Sequence, residues 1–379
     1  METAIFSSFS ADSPNNSSID FSADRRLAMF GPLDIKNDKE FLKKAVTYYK
    51  KRSSTPFPYR LNLNNFEPLY FLGQGAFGKV ILVKYKVFTK SYYAMKIVNK
   101  KALVEKNIIE FALNEKRILQ GLNHPFCIRL EYFTSDPSNL YYLLPYIAGG
   151  DLFGLLQKQK RFDERLSRFY IAQIVLALEY LHCCHTIHRD LKPENMILDH
   201  FGYIRIADFG FAKELKGKLR AYTFCGTPDY IAPEVILGNP YSNAVDWWAL
   251  GVMAFEMVRG RSPFTDEDHL KTYKRIVAVD YGMPSDFTPE LADLVSRFLQ
   301  SDVTKRLGNL RLGIAEIKEH KWFEKIDWLK LFNRRVVPPY IPPVQVNLEK
   351  GIFPHLKKIT KPFSIVEVPS NVDKLFEDF

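Results

Sequence analysis

Three glycines, Gly73, Gly75 and Gly78, stand in the run GQGAFGKV between stretches rich in β-branched and aromatic residues. Without Cβ atoms at these positions, main-chain N–H groups can come close to phosphate oxygens. The run leads into a second strand pattern, Val80 to Val83, and not into a helix, so it reads as a hairpin lid and not as a dinucleotide turn. Further on, Lys96 alternates with Ala94 and Val98, which puts one ammonium on an otherwise apolar strand face. Glu115 is the matching oddity, because it lies on the helical stripe of Phe111, Ile118, Leu119 and Leu122, where an unpaired carboxylate would be costly. Each charge answers the other, and Lys96 is also within reach of phosphates held under the glycine run.

The segment IHRDLKPENMIL carries Asp190, Lys192, Glu194 and Asn195 within six residues, flanked by apolar positions. Thirteen residues beyond Asn195, Asp208 follows the apolar run IRIA in ADFG. Asn195 and Asp208 offer the hard oxygen ligands that Mg²⁺ prefers and shares with phosphate.

These groups need elements to hold them. From Phe66 to about Val98 short apolar runs punctuated by glycine predict an antiparallel sheet, and beyond Leu103 helical periods take over in NIIEFALNEKRILQGL, LSRFYIAQIVLALEYLH and DWWALGVMAFEMV, the last apolar on every face. The fold class expected is α+β, a small β-rich lobe over residues 66–146 and a larger helical lobe over 147–323. Residues 1–30, rich in serine, asparagine and aspartate, read as a disordered extension. Residues 31–65 hold an amphipathic helix capped by Asn37 with Glu40, its apolar face Phe41, Ala45 and Tyr48, followed by a linker. From 324 to 379 repeated prolines predict an extended tail.

At 379 residues and 46% apolar, the chain can bury more than one core. No apolar stretch is long enough for a spanning helix, and no secretory signal precedes the body, so a cytoplasmic or nuclear protein without membrane insertion is expected. Glu2 stands where N-myristoylation needs glycine. Four cysteines without a C-x-x-C pair read as reduced thiols. The net charge of +10 raises the question of nucleic acid, but its lysines and arginines are spread along the chain and no reader motif accompanies them, so no nucleic-acid partner is expected.

The set GQGAFGKV, AMKI, HRDLKPEN, DFG and APE, in that order across 66–323, resembles the protein kinases. The resemblance implies ATP and Mg²⁺ as cofactors. It implies that Leu72, Gly73, Gln74, Gly75, Ala76, Phe77, Gly78, Lys79 and Val80 cover the nucleotide, with Ala94, Leu144, Pro145, Ile147, Asp151 and Ile197 around adenine and ribose. Lys96 would hold the α and β phosphates, Glu115 would position Lys96, and Asn195 and Asp208 would bind metal. Asp190 would be the base for the attacking hydroxyl and Lys192 would steady the γ-phosphate. Pro145 replaces a usual glutamate in the hinge, but the family uses the carbonyl there and the N–H of Ile147, so nucleotide binding survives. With none of these residues lost, a binding module that keeps the fold without the chemistry is disfavoured.

LNEKRILQ, AVDWWALGV, KRLGNL and HKWF are similar to the cyclic-AMP-dependent branch of the AGC serine/threonine kinases, as is the LFEDF ending. The resemblance implies protein substrates with basic motifs, two arginines before the target and an apolar residue after it. Glu194, Glu256, Asp151 and Asp229 would read the arginines, and Phe224, Pro228 and Ile231 would take the apolar residue. For Glu256 the alternative is a core arginine partner. Thr223 and Ser364 match phosphorylation positions, Arg189 and Lys213 being the cations expected to receive phosphorylated Thr223. A cyclic-AMP-binding regulatory subunit is a further partner implied, with Tyr222 in place of a usual tryptophan on its surface. In the tail, Phe353 matches an aromatic that closes over adenine, and Leu356, Lys357, Lys358, Ile359 and Thr360 stand where relatives carry a tyrosine and an acidic cluster, which predicts weaker binding of basic peptides.

Overall fold

The computed structural model describes residues 34–55, 62–75, 78–86, 92–215, 220–343, 356–359 and 375–376. The expectations for 1–30, Ala76, Phe77, Phe353, Thr360 and Ser364 fall outside them.

Helix α1, Asp38–Ser53, starts where the Asn37 side chain accepts the Glu40 N–H at 3.2 Å. Its buried face is Phe41, Ala45 and Tyr49, while Tyr48, expected to complete it, stays half-buried. The correction is one position, because a stripe of i, i+4, i+8 drifts around the helix relative to i, i+4, i+7. Tyr49 meets the Thr186 hydroxyl at 3.1 Å, and the Phe41 ring meets Phe332 edge-on at 4.8 Å, so α1 is fastened to the large lobe.

The small lobe is built from β1 (Phe66–Gly75), β2 (Gly78–Tyr85), β3 (Tyr92–Asn99), β4 (Tyr132–Ser135) and β5 (Asn139–Pro145), with helices α2 (Lys100–Glu105) and α3 (Ile109–Gly121) between β3 and β4. Antiparallel register aligns Val80 with Lys96 and Tyr142, and Leu82 with Ala94 and Leu144. Alternation therefore puts these six side chains on one face of the sheet. On the other face Ile81, Val83, Met95, Ile97 and Leu143 form a small core of their own.

The large lobe contains α4 (Leu152–Gln159), α5 (Glu164–Cys183), β6 (Thr186–Ile187), β7 (Met196–Leu198), β8 (Ile204–Ile206), β9 (Lys213–Glu214), α6 (Pro233–Ile236), α7 (Ala244–Arg259), α8 (His269–Ala278), α9 (Pro289–Phe298) and α10 (Ile314–Lys318). Every residue of α7 from Ala244 to Val258 is buried, as its all-round apolar sequence requires. Arg306 fixes the lobe with two bonds to the buried Glu234 carboxylate, at 2.6 and 2.8 Å. Two short antiparallel pairs, β6 with β9 and the hairpin of β7 with β8, flank the segments that hold the chemistry-bearing residues Asp190 to Asn195 and Asp208.

The tail is not wholly extended. A helix, α11 (Trp328–Phe332), capped by Asp327, precedes the prolines, which begin only at Pro338. Further on, β10 (Lys357–Lys358) pairs antiparallel with β1, Lys357 opposite Phe71 and Lys358 opposite Tyr70. The small-lobe sheet thus has six strands in the order β10-β1-β2-β3-β5-β4. Both lysine side chains are exposed, and Ile359 packs on the small-lobe core. Phe376 is buried, with the Lys100 ammonium 5.2 Å from its ring centre. Among the described residues no helix is long and apolar enough to cross a membrane.

Candidate active site

The three glycines differ in what requires them. A Cβ on Gly78 would fall 2.0 Å from the Ile97 carbonyl oxygen, so this glycine lets β2 lie close on β3. Gly73 has nothing within 4 Å of where a Cβ would be, and Gly75 only Gly78 O at 3.9 Å, so both border open space in which phosphate oxygens fit. Gln74 pairs with Lys79 and Gly75 with Gly78 at the end of the hairpin. Leu72 lies at a register shift between Phe71 and Gly73. Val80, Ala94 and Leu144 share the sheet face that carries Lys96, and Pro145 ends β5 opposite Tyr93. Ile147 is buried, and Ile197 bridges Asp151 on the large-lobe side. One Asp151 oxygen is committed to capping α4, where it accepts the Gly154 N–H at 2.7 Å.

Lys96 joins the two lobes. Its Nζ is 2.6 Å from Glu115 Oε1 and 3.4 Å from Asp208 Oδ1. Burial alone would favour loss of its proton, but the Glu115 and Asp208 carboxylates outweigh burial and hold its pKa above that of an ordinary lysine. The same ammonium, chiefly, holds Asp208 below the ordinary carboxylate range. Asp208 has φ 54°, in the left-handed region, a conformation that costs energy in a non-glycine residue and is kept only where surroundings enforce it.

Asp190 is buried and held on three sides. Lys192 Nζ is 3.0 Å from its Oδ2, Asn195 Nδ2 donates to the same oxygen at 3.2 Å and to its main-chain carbonyl at 2.8 Å, and Thr227 Oγ1 donates to Oδ1 at 2.7 Å. Lys192 also donates to Thr227 Oγ1 at 2.7 Å. The loop bearing Asp190 is set by Asp246 at the start of α7, whose carboxylate accepts the N–H groups of His188 at 3.0 Å and Arg189 at 2.9 Å and contacts His182 Nε2 at 2.8 Å. Burial works against its ionisation, but these bonds hold Asp246 ionised, below the ordinary value. Sequence reasoning missed both Thr227 and Asp246. A carboxylate opening a helix that is apolar on all faces was the available signal for Asp246.

With its Nδ2 spent on Asp190, Asn195 keeps Oδ1 for a metal, and Asp208 supplies carboxylate oxygens from the facing loop. Among the described residues no group of three or more His, Cys, Asp or Glu could hold an ion unaided. Two protein oxygens completed by phosphate and water are what Mg²⁺ takes, so the donor set fits it.

Near Asp190 several carboxylates gather: Glu194 feels Asp190 and Asp151, and Glu256 feels Glu194 and Asp229. Glu256 is 8% exposed, and the Tyr230 hydroxyl donates to its Oε2, so the structure replaces the core arginine considered as its alternative partner. Burial pushes the Glu256 pKa up to about 7, with Glu194 and Asp229 adding repulsion that the Tyr230 bond partly offsets. Burial likewise raises Glu194. Asp229 accepts from Thr265 Oγ1 at 2.8 Å. Tyr230 is a further residue not foreseen. The three apolar candidates do not share one exposed wall, because Phe224 is exposed and edge-on to Tyr273 at 6.0 Å, Pro228 is half-buried, and Ile231 is buried beneath Gly226. Thr223 is half-buried, and its carbonyl accepts from the Tyr241 hydroxyl at 2.6 Å, which in turn receives Arg189 Nη1 at 3.0 Å. Lys213 lies on β9 opposite Ile187, and Tyr222 is 70% exposed.

A sequence model described as "Protein kinase domain" matches residues 66–323. The chain is 44% identical over 292 residues to cAMP-dependent protein kinase catalytic subunit 2 of Drosophila melanogaster, across 76% of this chain and 81% of that one. It is 41% identical over 321 residues to the cAMP-dependent protein kinase catalytic subunit of Schizosaccharomyces pombe, across 84% of this chain but only 62% of the relative, which is under two thirds of its length. A RAC family serine/threonine-protein kinase homolog of Dictyostelium discoideum is 44% identical over 288 residues, 76% of this chain and 64% of its own. A two-lobed body with an antiparallel sheet above and helices below, and a match across most of its length, agree: the chain belongs to the protein kinase domain family.

Proposed function

We propose that this chain is an ATP-dependent serine/threonine protein kinase of the cyclic-AMP-dependent type, acting on proteins with the pattern Arg-Arg-x-Ser/Thr-hydrophobic. The observation that carries the reading is the fixed Asp190 carboxylate, held by Lys192, Asn195 and Thr227, in one chain with the Lys96 ammonium held by Glu115 and Asp208.

Asp190 orients the substrate hydroxyl and takes its proton as the γ-phosphoryl passes from ATP to the hydroxyl oxygen and ADP departs. Lys192, bonded to both Asp190 and Thr227, steadies the γ-phosphate. Lys96, kept charged by Glu115, holds the α and β phosphates beneath the Gly73 and Gly75 hairpin. Asn195 and Asp208 would hold Mg²⁺, which would supply neutralisation of phosphate charge. Fixed charge and alignment supply most of the rate in such chemistry.

Glu194 and Glu256 read the arginine two positions before the target, and Asp151 the one before that. The cyclic-AMP dependence named for the relatives, and a regulatory subunit as partner, are carried to this chain on their similarity, with the exposed Tyr222 beside Thr223, in place of the usual tryptophan, pointing to weaker binding of that subunit. Phosphorylation at Thr223, and in the tail at Ser364, belongs to the same reading, as does activity in the cytoplasm and nucleus. The domain limits proposed are 66–146 and 147–323 for the lobes and 324–379 for the tail. The test is turnover of ATP with an arginine-rich peptide, alone and with a cyclic-AMP-binding regulatory subunit. Transfer that the subunit suppresses and cyclic AMP restores is expected. A chain that binds ATP without transferring phosphate would overturn the reading in favour of a binding module.

A further inference from the structure

Val80, Lys96, Tyr142 and Phe133 stand opposite one another on β2, β3, β5 and β4, a single row across four strands of the small-lobe sheet. Three of them fasten α3. Lys96 Nζ holds Glu115 Oε1 at 2.6 Å, the Tyr142 hydroxyl donates to the Ala112 carbonyl at 3.0 Å, and the Lys116 ammonium lies 4.6 Å from the Phe133 ring centre. The anchored positions are therefore Glu115, the residue one turn before it and the residue after it. The first contact is the ion pair of the active site; the other two hold the helix that brings Glu115 to it.

The helix has few other directional bonds to set its place. No side chain caps its first turn, where Ile108 stands at the N-cap. At its far end Gln120 Nε2 donates to the Arg52 carbonyl of α1 at 2.9 Å. Apolar contacts such as Phe111, edge-on to Phe211 at 6.1 Å, press α3 on its neighbours, but burial is non-directional and leaves the rotation and height of the Glu115 turn open. The Tyr142 bond is directional. Tyr142 is wholly buried, and its ring meets Phe133 edge-on at 5.1 Å, so the hydroxyl is presented from a fixed ring. Burial, with the nearby Glu115 charge adding to it, raises the phenol well above the ordinary tyrosine value, so the group is a donor at neutral pH.

We propose that Tyr142 is a positioning residue for phosphoryl transfer, its hydroxyl holding α3 at the height and rotation at which Glu115 meets Lys96. The inference rests on the roles proposed for Lys96 and Glu115, through which Tyr142 acts. Removing the hydroxyl is a mild change to the fold. Ala112 O lies within α3 and has a second lone pair for its own helical N–H, so Tyr142→Phe takes away one bond, keeps the ring against Phe133 and orphans no main-chain group.

The experiment is a double-mutant cycle on the full chain, read by steady-state transfer to an arginine-rich peptide at varied ATP. Tyr142→Phe is expected to lower kcat about tenfold, because phosphates held by a displaced Lys96 are out of line, while KM for the peptide stays level. In Glu115→Gln, where the ion pair is already lost, adding Tyr142→Phe should cost nothing further. Tyr142→Met also lacks the hydroxyl but repacks with a flexible side chain, and should show the same loss. If one of the two variants does not fold, the other carries the cycle; failure of both to fold would assign Tyr142 to the core and overturn the positioning role. Unchanged kcat in Tyr142→Phe would overturn the inference and leave the kinase reading intact, as would a loss in Glu115→Gln as large as in the parent, which marks packing alone. Parent-level kcat in Glu115→Gln itself would instead overturn the role of the ion pair on which the inference rests.

Discussion

Thr227 donates its hydroxyl to Asp190 at 2.7 Å while receiving the Lys192 ammonium at 2.7 Å, and so holds the base and its neighbouring cation in one arrangement. Thr227→Val removes both bonds and leaves Asp190 Oδ1 without its donor. We expect kcat to fall about 10²-fold, with Thr227→Ser close to the parent. Steady-state kinetics of the two variants check this, and equal losses in both would show that the hydroxyl alone does not account for the role of Thr227.

Lys96 and Glu115 form an ion pair whose carboxylate is almost wholly buried. Lys96→Met should cost about 10²-fold or more in transfer and also lower Tm, because Glu115 is left buried without its partner. A second change, Glu115→Leu, should restore Tm without restoring activity. Wild-type turnover in Lys96→Met, or in Asp190→Asn, would remove these residues from the mechanism.

The pKa of Glu256, about 7 against an ordinary 4.5, makes arginine selection depend on pH. Below pH 7 Glu256 is mainly a neutral carboxyl, and above it a carboxylate, so the preference for arginine two positions before the target should strengthen between pH 6 and 8. The ratio of kcat/KM for peptides with and without that arginine measures it, and the ratio should flatten in Glu256→Gln. For stability the sign is opposite: the folded state takes up a proton that the unfolded state releases above about 4.5, so this group's contribution is complete below 4.5 and is lost as pH rises through 7.

Tyr241 links Thr223 to Arg189 through its hydroxyl, at 2.6 and 3.0 Å. A phosphate on Thr223 would lie close to the Arg189 guanidinium, so Thr223→Ala should lower kcat more than it raises KM for ATP. Fully active enzyme with unmodified Thr223, established by intact-mass measurement, would exclude the requirement.

Lys96 and Glu115 were legible in the sequence because each is a local anomaly, a charge within an apolar period. Thr227 and Tyr230 were not, since each acts on a group 26 to 37 residues away and nothing in its own neighbourhood is out of place, whereas Asp246 left one signal, a carboxylate opening an apolar helix, without showing the partner 58 residues away. The β10 strand was hidden for another reason: its bonds are main-chain bonds, while Lys357 and Lys358 display only solvated charges, so the lysines predicted a repulsive surface and gave no sign of strand pairing. Replacing both by glutamate should lower KM for an arginine-rich peptide at low salt, fading at high salt; no change at either would limit the segment to its part in the sheet.

The strand that completes the small lobe comes from residues about 290 positions after its partner in β1. On a ribosome adding about 5–20 residues per second, on the order of 15–60 s separate the emergence of the two. Throughout that interval β1 presents an open edge, with unpaired N–H and C=O groups around Tyr70 and Phe71 that another nascent chain could pair with. The first lobe to be made is thus the last to be closed, and shielding of β1 by a chaperone, or slow synthesis of the large lobe, would govern how much protein reaches the native state.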